Sequence, residues 1–111
     1  MKKKNINIMG YVYLIGQLNE ENKYKIGSTR ARDINTRLKQ LQTGNPNPLI
    51  LKDFHETDRP FKMETMLHNK YQFQNVNGEW YELDENDIKN FKNTCKDIQK
   101  IMDSLKENPF F

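Results

Sequence analysis

The stretch YVYLIGQLNEENKYKIGSTR, Tyr11 to Arg30, decides the fold. Two apolar runs flank a polar Asn/Glu-rich segment, which is the pattern of a β-hairpin. In the first run Val12, Leu14 and Gly16 alternate with Tyr11, Tyr13 and Ile15, placing the two sets on opposite faces of one strand. QLNEEN, 17–22, reads as the turn and KYKIGS, 23–28, as the second strand. Alternate residues of an antiparallel hairpin share a face, so Tyr13 and Lys25 are expected to point the same way.

Beyond the hairpin the periodicity changes. Asp33 is a plausible N-cap for INTRLKQLQ, where Ile34, Leu38 and Leu41 form one apolar stripe. Gly44 ends that helix, and NPNP enforces an extended exit. LILKDFHE, 49–56, is a third strand. TDRP starts a second helix, with Thr57 or Asp58 as cap and a proline in its first turn, running through FKMETMLHNKYQF. NVNGEW reads as a turn, EWYEL as a short extended piece, and 85–106 as one final helix. Its stripe is Ile88, Phe91, Cys95, Ile98 and Met102. The expected fold is α/β of the α+β kind: a small antiparallel three-stranded sheet flanked by helices, in the order β-β-α-β-α-(β)-α. No repeat, linker or composition break divides the 111 residues, so 1–111 is expected to be a single domain.

The composition narrows the class. Charged residues are 30% and hydrophobic residues 35%, polar for a domain, while 11% aromatics argue against disorder. The net charge of +3 matches the contribution of Lys2, Lys3 and Lys4, so the remainder is near neutral. Its distribution is uneven: Lys23, Lys25, Arg30, Arg32, Arg37 and Lys39 crowd one segment, and Glu79, Glu82, Asp84, Glu85 and Asp87 another. Two solvated faces would explain this equally well. The lone Cys95 excludes an internal disulfide, fits a reducing compartment, and reads as structural. The N-terminal apolar run is short and interrupted by Asn5 and Asn7, unlike a signal peptide, and no run is long enough to span a membrane. A cytoplasmic, intracellular protein is expected.

Several polar residues sit where chemistry could use them. Arg37 flanks the buried stripe of its helix, so its stem can be held while the guanidinium reaches a cleft. Glu64 and His68 are i and i+4 on one helical face. A tyrosine, several cations and a helical carboxylate suit phosphodiester hydrolysis. The carboxylate holds a hard divalent cation, an arginine stabilises phosphate charge, and a phenol or imidazole relays the proton of the attacking water. Each residue also has an ordinary reading: Tyr13 as a half-buried strand tyrosine, Arg37 as a surface residue, Glu64 and His68 as an exposed pair. The residues by themselves support a small α/β domain that binds nucleic acid.

The order of the pieces resembles the GIY-YIG nuclease superfamily, in its short T5orf172 or Mug113-like branch of phages, large DNA viruses and bacteria. YVY, 11–13, occupies the first motif and KIG, 25–27, the second. RLKQLQTGNP, 37–46, is similar to the arginine helix and its loop. ETMLHNKY, 64–71, is similar to the metal-glutamate helix, and GEWYEL, 78–83, to the closing motif. The resemblance covers residues 10–84, followed by the C-terminal helix. It implies that Tyr13 assists proton removal from water, Arg37 contacts the scissile phosphate, Glu64 binds one Mg²⁺ or Mn²⁺ ion, and His68 adds a second polar contact. Two departures stand out. Lys25 replaces the second-motif tyrosine, with Tyr24 on the opposite strand face; it can ground a phosphate or perturb Tyr13. Leu41 stands where a histidine is frequent, which draws attention to His55 and His68.

These resemblances imply a metal-dependent DNA endonuclease with one metal ion. The alternatives are a non-catalytic DNA-binding module of the same fold, acting as helper or regulator, and an interaction domain with an eroded site. DNA is the expected partner, with Lys23, Arg30, Arg32 and Lys39 on its phosphates and no membrane involved. So small a chain leaves target specificity to a homodimer or a partner protein. Trp80 reads as a core aromatic closing the sheet, with base stacking as its alternative.

Overall fold

A computed structural model describes residues 9–106, so Lys2–Lys4, Asn5, Asn7 and the last residues of the expected 1–111 domain lie outside the described residues. The hairpin forms as expected. β1 (Gly10–Gln17) and β2 (Glu20–Thr29) pair antiparallel, with Tyr13 opposite Gly27 and Ile15 opposite Lys25. Tyr13 and Lys25 therefore share a face. The turn is tighter than the six residues expected. Leu18 and Asn19 suffice, because Asn19 adopts φ 69°, a left-handed conformation asparagine tolerates. Residues 20–22 extend β2 instead. β3 (Leu49–Thr57) pairs with the other side of β1.

The sheet has five strands among the described residues, in the order β3-β1-β2-β5-β4, rather than three. The segment NVNGEW is not a simple turn. Asn75–Asn77 forms β4 and Trp80–Glu82 forms β5, a hairpin around Gly78 at φ 55°. β5 docks on β2 with Lys25 opposite Trp80 and Lys23 opposite Glu82. β5 is the short extended piece expected at EWYEL; β4, with three residues, carries no measurable alternation and is a strand through its pairing with β5.

Helices cover both sheet faces. α1 (Ile34–Gln42) is capped by Asp33, whose carboxylate accepts from Asn35 N at 3.0 Å. Its Ile34, Leu38 and Leu41 pack on Tyr13, Ile15, Leu49 and Leu51. The opposite face buries Val12, Leu14 and Ile26 beneath α2 (Pro60–Lys70) and α4 (Phe91–Leu105), through Met63, Leu67, Phe91, Cys95, Ile98 and Met102.

Three helix expectations need correction. Arg59, not Thr57 or Asp58, occupies the cap position of α2; Thr57 Oγ1 instead accepts from Arg59 N at 3.2 Å, and Pro60 at the first helical position needs no donor. α2 ends at Lys70, and a 3₁₀ turn over Gln72–Gln74 follows. The final helix is two: α3 (Glu85–Lys89), closed by a reciprocal Asp84–Asp87 capping box, and α4. They meet at Asn90, at φ −93° and ψ 1°, where an asparagine is a weak helix former. Among the described residues no helix is long and apolar enough to cross a membrane.

Candidate active site

The site begins with a missing side chain. Tyr13 is fully buried, and a Cβ at Gly27 would lie 2.5 Å from its Oη. A glycine there lets the phenol lie across β2 toward the strand's outer edge. That edge is only partly covered: β5 pairs with Lys23–Lys25, and Ile26 N donates to Glu79 O at 3.0 Å. Past that point, side chains from the two sheet faces meet around the edge.

Tyr13, Lys25 and Arg37 arrive from the α1 face, and Ser28, Glu64 and His68 from the α2 face. Ser28 Oγ donates a hydrogen bond to Glu64 Oε1. His68 Nε2 lies 2.8 Å from Ile26 O and 3.5 Å from Glu64 Oε2, while its ring packs 5.2 Å from that of Tyr81. A bond to a carbonyl requires a hydrogen on Nε2, so this nitrogen is a donor. His68 thus ties α2 to β2 and fixes the Glu64 side chain between itself and Ser28. Lys25 Nζ forms an ion pair with Glu79 Oε1 at 3.1 Å.

The electrostatics bind these groups into one cluster. Burial raises the pKa of Tyr13; the guanidinium of Arg37 opposes this, and the charges of Glu79 and Glu64 add to it. Burial also raises the pKa of Glu64, against the hydrogen bond from Ser28, and the neighbouring carboxyl of Glu79 raises it further. Arg37 lies close enough to act on the phenol, yet Tyr13 Oη and Arg37 Nε are both buried without a hydrogen-bond partner. Buried polar groups are nearly always paired, so these two atoms, beside each other and near two carboxylates, have capacity for a further polar partner.

The donor set is hard. Glu64 and Glu79 supply carboxylate oxygens, with Ser28 Oγ and Tyr13 Oη beside them, which suits Mg²⁺ or Mn²⁺ rather than a soft metal. Among the described residues no group of three or more His, Cys, Asp or Glu is arranged to hold a metal ion. A cation here would therefore keep water as most of its ligands.

Tyr13, Lys25, Arg37, Glu64 and His68 are thus brought together. The four expected DNA contacts lie outside this cluster. Lys23 lies within β2 and Arg30 just past its end, seven residues on, and with Arg32 and Lys39 they are exposed. Glu79 is the residue that sequence reading missed. Its signal was the Gly78 turn, which starts β5 directly beside Lys25. His55 lies elsewhere, on β3 with Nε2 3.4 Å from Gln99 Oε1, its pKa lowered chiefly by burial. Cys95 is buried, its thiol pushed up to about 12, as a structural residue should be. Trp80 is half-buried and stands outside the core, with Lys25 Nζ 5.7 Å from its ring centre; Tyr81 takes the core position instead. An open groove at the turn end of the hairpin contains neither arginine nor histidine.

A small antiparallel sheet thus gathers a tyrosine, an arginine and carboxylates at one open strand edge, and a family match gives this fold its class, a nuclease-like domain. The T5orf172 domain matches residues 10–96, and the chain belongs to this family, a branch of the GIY-YIG-like nuclease superfamily. The match runs past the expected 10–84 core into α4. No curated protein and no solved structure matches the chain.

Proposed function

We propose that this chain is a metal-dependent endonuclease that hydrolyses DNA phosphodiester bonds at the Tyr13–Arg37–Glu64–Glu79 cluster. The observation that carries this reading is the pair of buried, unpartnered atoms, Tyr13 Oη and Arg37 Nε, beside two carboxylates. Glu64 and Glu79 would hold one Mg²⁺ or Mn²⁺ ion, which supplies charge stabilisation to the phosphate and leaving oxygen. Arg37 binds a phosphate oxygen through its guanidinium and meets the charge that develops there. The Tyr13 phenol oxygen would take the proton of the attacking water as its own hydroxyl proton passes to the neighbouring Glu79 carboxylate, so that the phenol relays a proton rather than storing one. Lys25 holds Glu79 in place, and a phosphate drawn to Lys25 would compete for that ion pair. His68 positions Glu64 through Ile26 O.

A second reading, a non-catalytic DNA-binding module, draws on one observation: Glu79 is already paired with Lys25 and Glu64 with Ser28. One assay separates the two. Supercoiled plasmid is incubated with Mn²⁺ and wild-type protein or Glu64→Gln, alongside gel shifts in EDTA. The endonuclease reading expects nicking by wild type alone with binding by both. Equal nicking by the two proteins would remove Glu64 from the mechanism, and binding without nicking by either would leave the binding module.

A further inference from the structure

We propose that the site takes a DNA strand whose bases are unpaired, seating a base on Phe61 next to the scissile phosphate. The inference rests on the DNA-cleaving reading above and names its substrate class. Phe61 lies in the first turn of α2 and is 56% exposed, although the helix buries its neighbours Pro60 and Met63. It belongs to neither core cluster. Three positions separate it from Glu64 and seven from His68, so it continues their stripe, about 4.5 Å of helix rise from Glu64. Arg30 holds its guanidinium carbon 5.3 Å from the Phe61 ring centre. Because Ser28 on the same chain segment bonds Glu64, the Arg30–Phe61 contact is the next step outward along the same two elements.

The other flank is similar. Trp80 carries Lys25 Nζ 5.7 Å from its ring centre, and Lys25 holds Glu79 at 3.1 Å. The two carboxylates are thus bracketed by two aromatic rings, each with a cation against it. A half-exposed phenylalanine has no packing role there. An aromatic face joined to a cation that meets the neighbouring phosphate is what single-stranded nucleic acid uses, and every base offers such a face. In an intact duplex the base faces are stacked on one another and closed to a side chain beside the backbone. The surface therefore fits a single strand, a flap or a locally melted segment.

The test measures anisotropy of one labelled oligonucleotide, single-stranded or in duplex, in EDTA at fixed salt. Wild type, Phe61→Ala and Phe61→Trp are compared. The inference expects tighter binding of the single strand. It also expects Phe61→Ala to weaken that binding about 5- to 150-fold, as loss of one stacked base should, with duplex binding unchanged and Phe61→Trp restoring affinity. Thermal melting checks that both variants fold. Equal effects of Phe61→Ala on both DNA forms, or none on either, would overturn the inference; plasmid nicking retained by wild type would then show that the cleavage reading survives. Binding to neither DNA form would overturn both.

Discussion

Glu64 carries a cost that can be measured. Its pKa is raised above the ordinary 4.5, first by burial and then by Glu79, so the folded protein favours its protonated form. The associated stability is present below the unfolded pKa and lost as pH rises through the folded value. Ionised Glu64 beside Glu79 is therefore a burden on the fold, and a cation bound between the carboxylates would relieve it. Two outcomes follow for thermal melts at neutral pH. Without metal, Glu64→Gln should melt at or above the wild-type temperature. Millimolar Mn²⁺ should raise the wild-type transition and leave the variant unmoved; an equal rise in both would place the metal elsewhere. Tyr13→Phe tests the orphaned phenol. Removing an unpartnered buried hydroxyl should leave stability unchanged or raise it by about 1 kcal/mol. Nicking should fall by about 10²–10⁴-fold if the phenol relays the proton. A large loss of stability on urea denaturation would show that the hydroxyl has a partner in solution.

The hairpin is the element that makes the cluster possible, and Gly27 is its hinge point. A methyl group there would sit 2.5 Å from Tyr13 Oη and 2.7 Å from its Cζ, in a fully buried place. Gly27→Ala should push the phenol off β2, cost about 1–3 kcal/mol by overpacking, and reduce nicking more than stability alone accounts for. Urea melts and plasmid nicking on the same preparation decide this; wild-type nicking by a destabilised variant would detach Gly27 from the chemistry. The α2 helix is held quite differently. Its Met63 and Leu67 are fully buried in the main core, while Glu64 and His68 on the adjoining stripe reach the edge of β2. Leu67→Ala should cost about 2–5 kcal/mol. An unfolding midpoint close to wild type would mean the helix is docked by its polar contacts rather than by the core.

Across the molecule as a whole, the four cations expected to meet DNA lie outside the carboxylate cluster. Lys23, Arg30, Arg32 and Lys39 are exposed and separated, so they can follow a phosphate backbone without fixing one geometry. If all four meet phosphates, the logarithm of affinity should fall with the logarithm of salt at a slope of up to about −3.6. Reversing Arg32 should weaken binding to every sequence alike and flatten that slope. Gel shifts at several salt concentrations measure both, and affinity insensitive to salt would argue against a nucleic-acid partner.

The hairpin, the capped and striped α1, β3 and the apolar stripe of α4 were all legible in the chain, because each is written in local periodicity longer than a turn. Tyr13, Arg37 and Glu64 sat at set positions on strand or stripe, but only the resemblance to the GIY-YIG superfamily set them apart from ordinary strand and surface residues. EWYEL was legible as a short extended piece and became β5, but β4 was read as part of a turn, since its three residues are a strand only through pairing with β5. Glu79, just ahead of β5, stayed unmarked. In sequence it is one acid among several near the closing motif, and only the docking of β5 puts it against Lys25 and Glu64. Nor does any local pattern say that Tyr13, from one sheet face, and Glu64, from the other, share a site. That was decided by tertiary structure, where a glycine lets the phenol cross β2 and the strand's uncovered edge lets both faces meet.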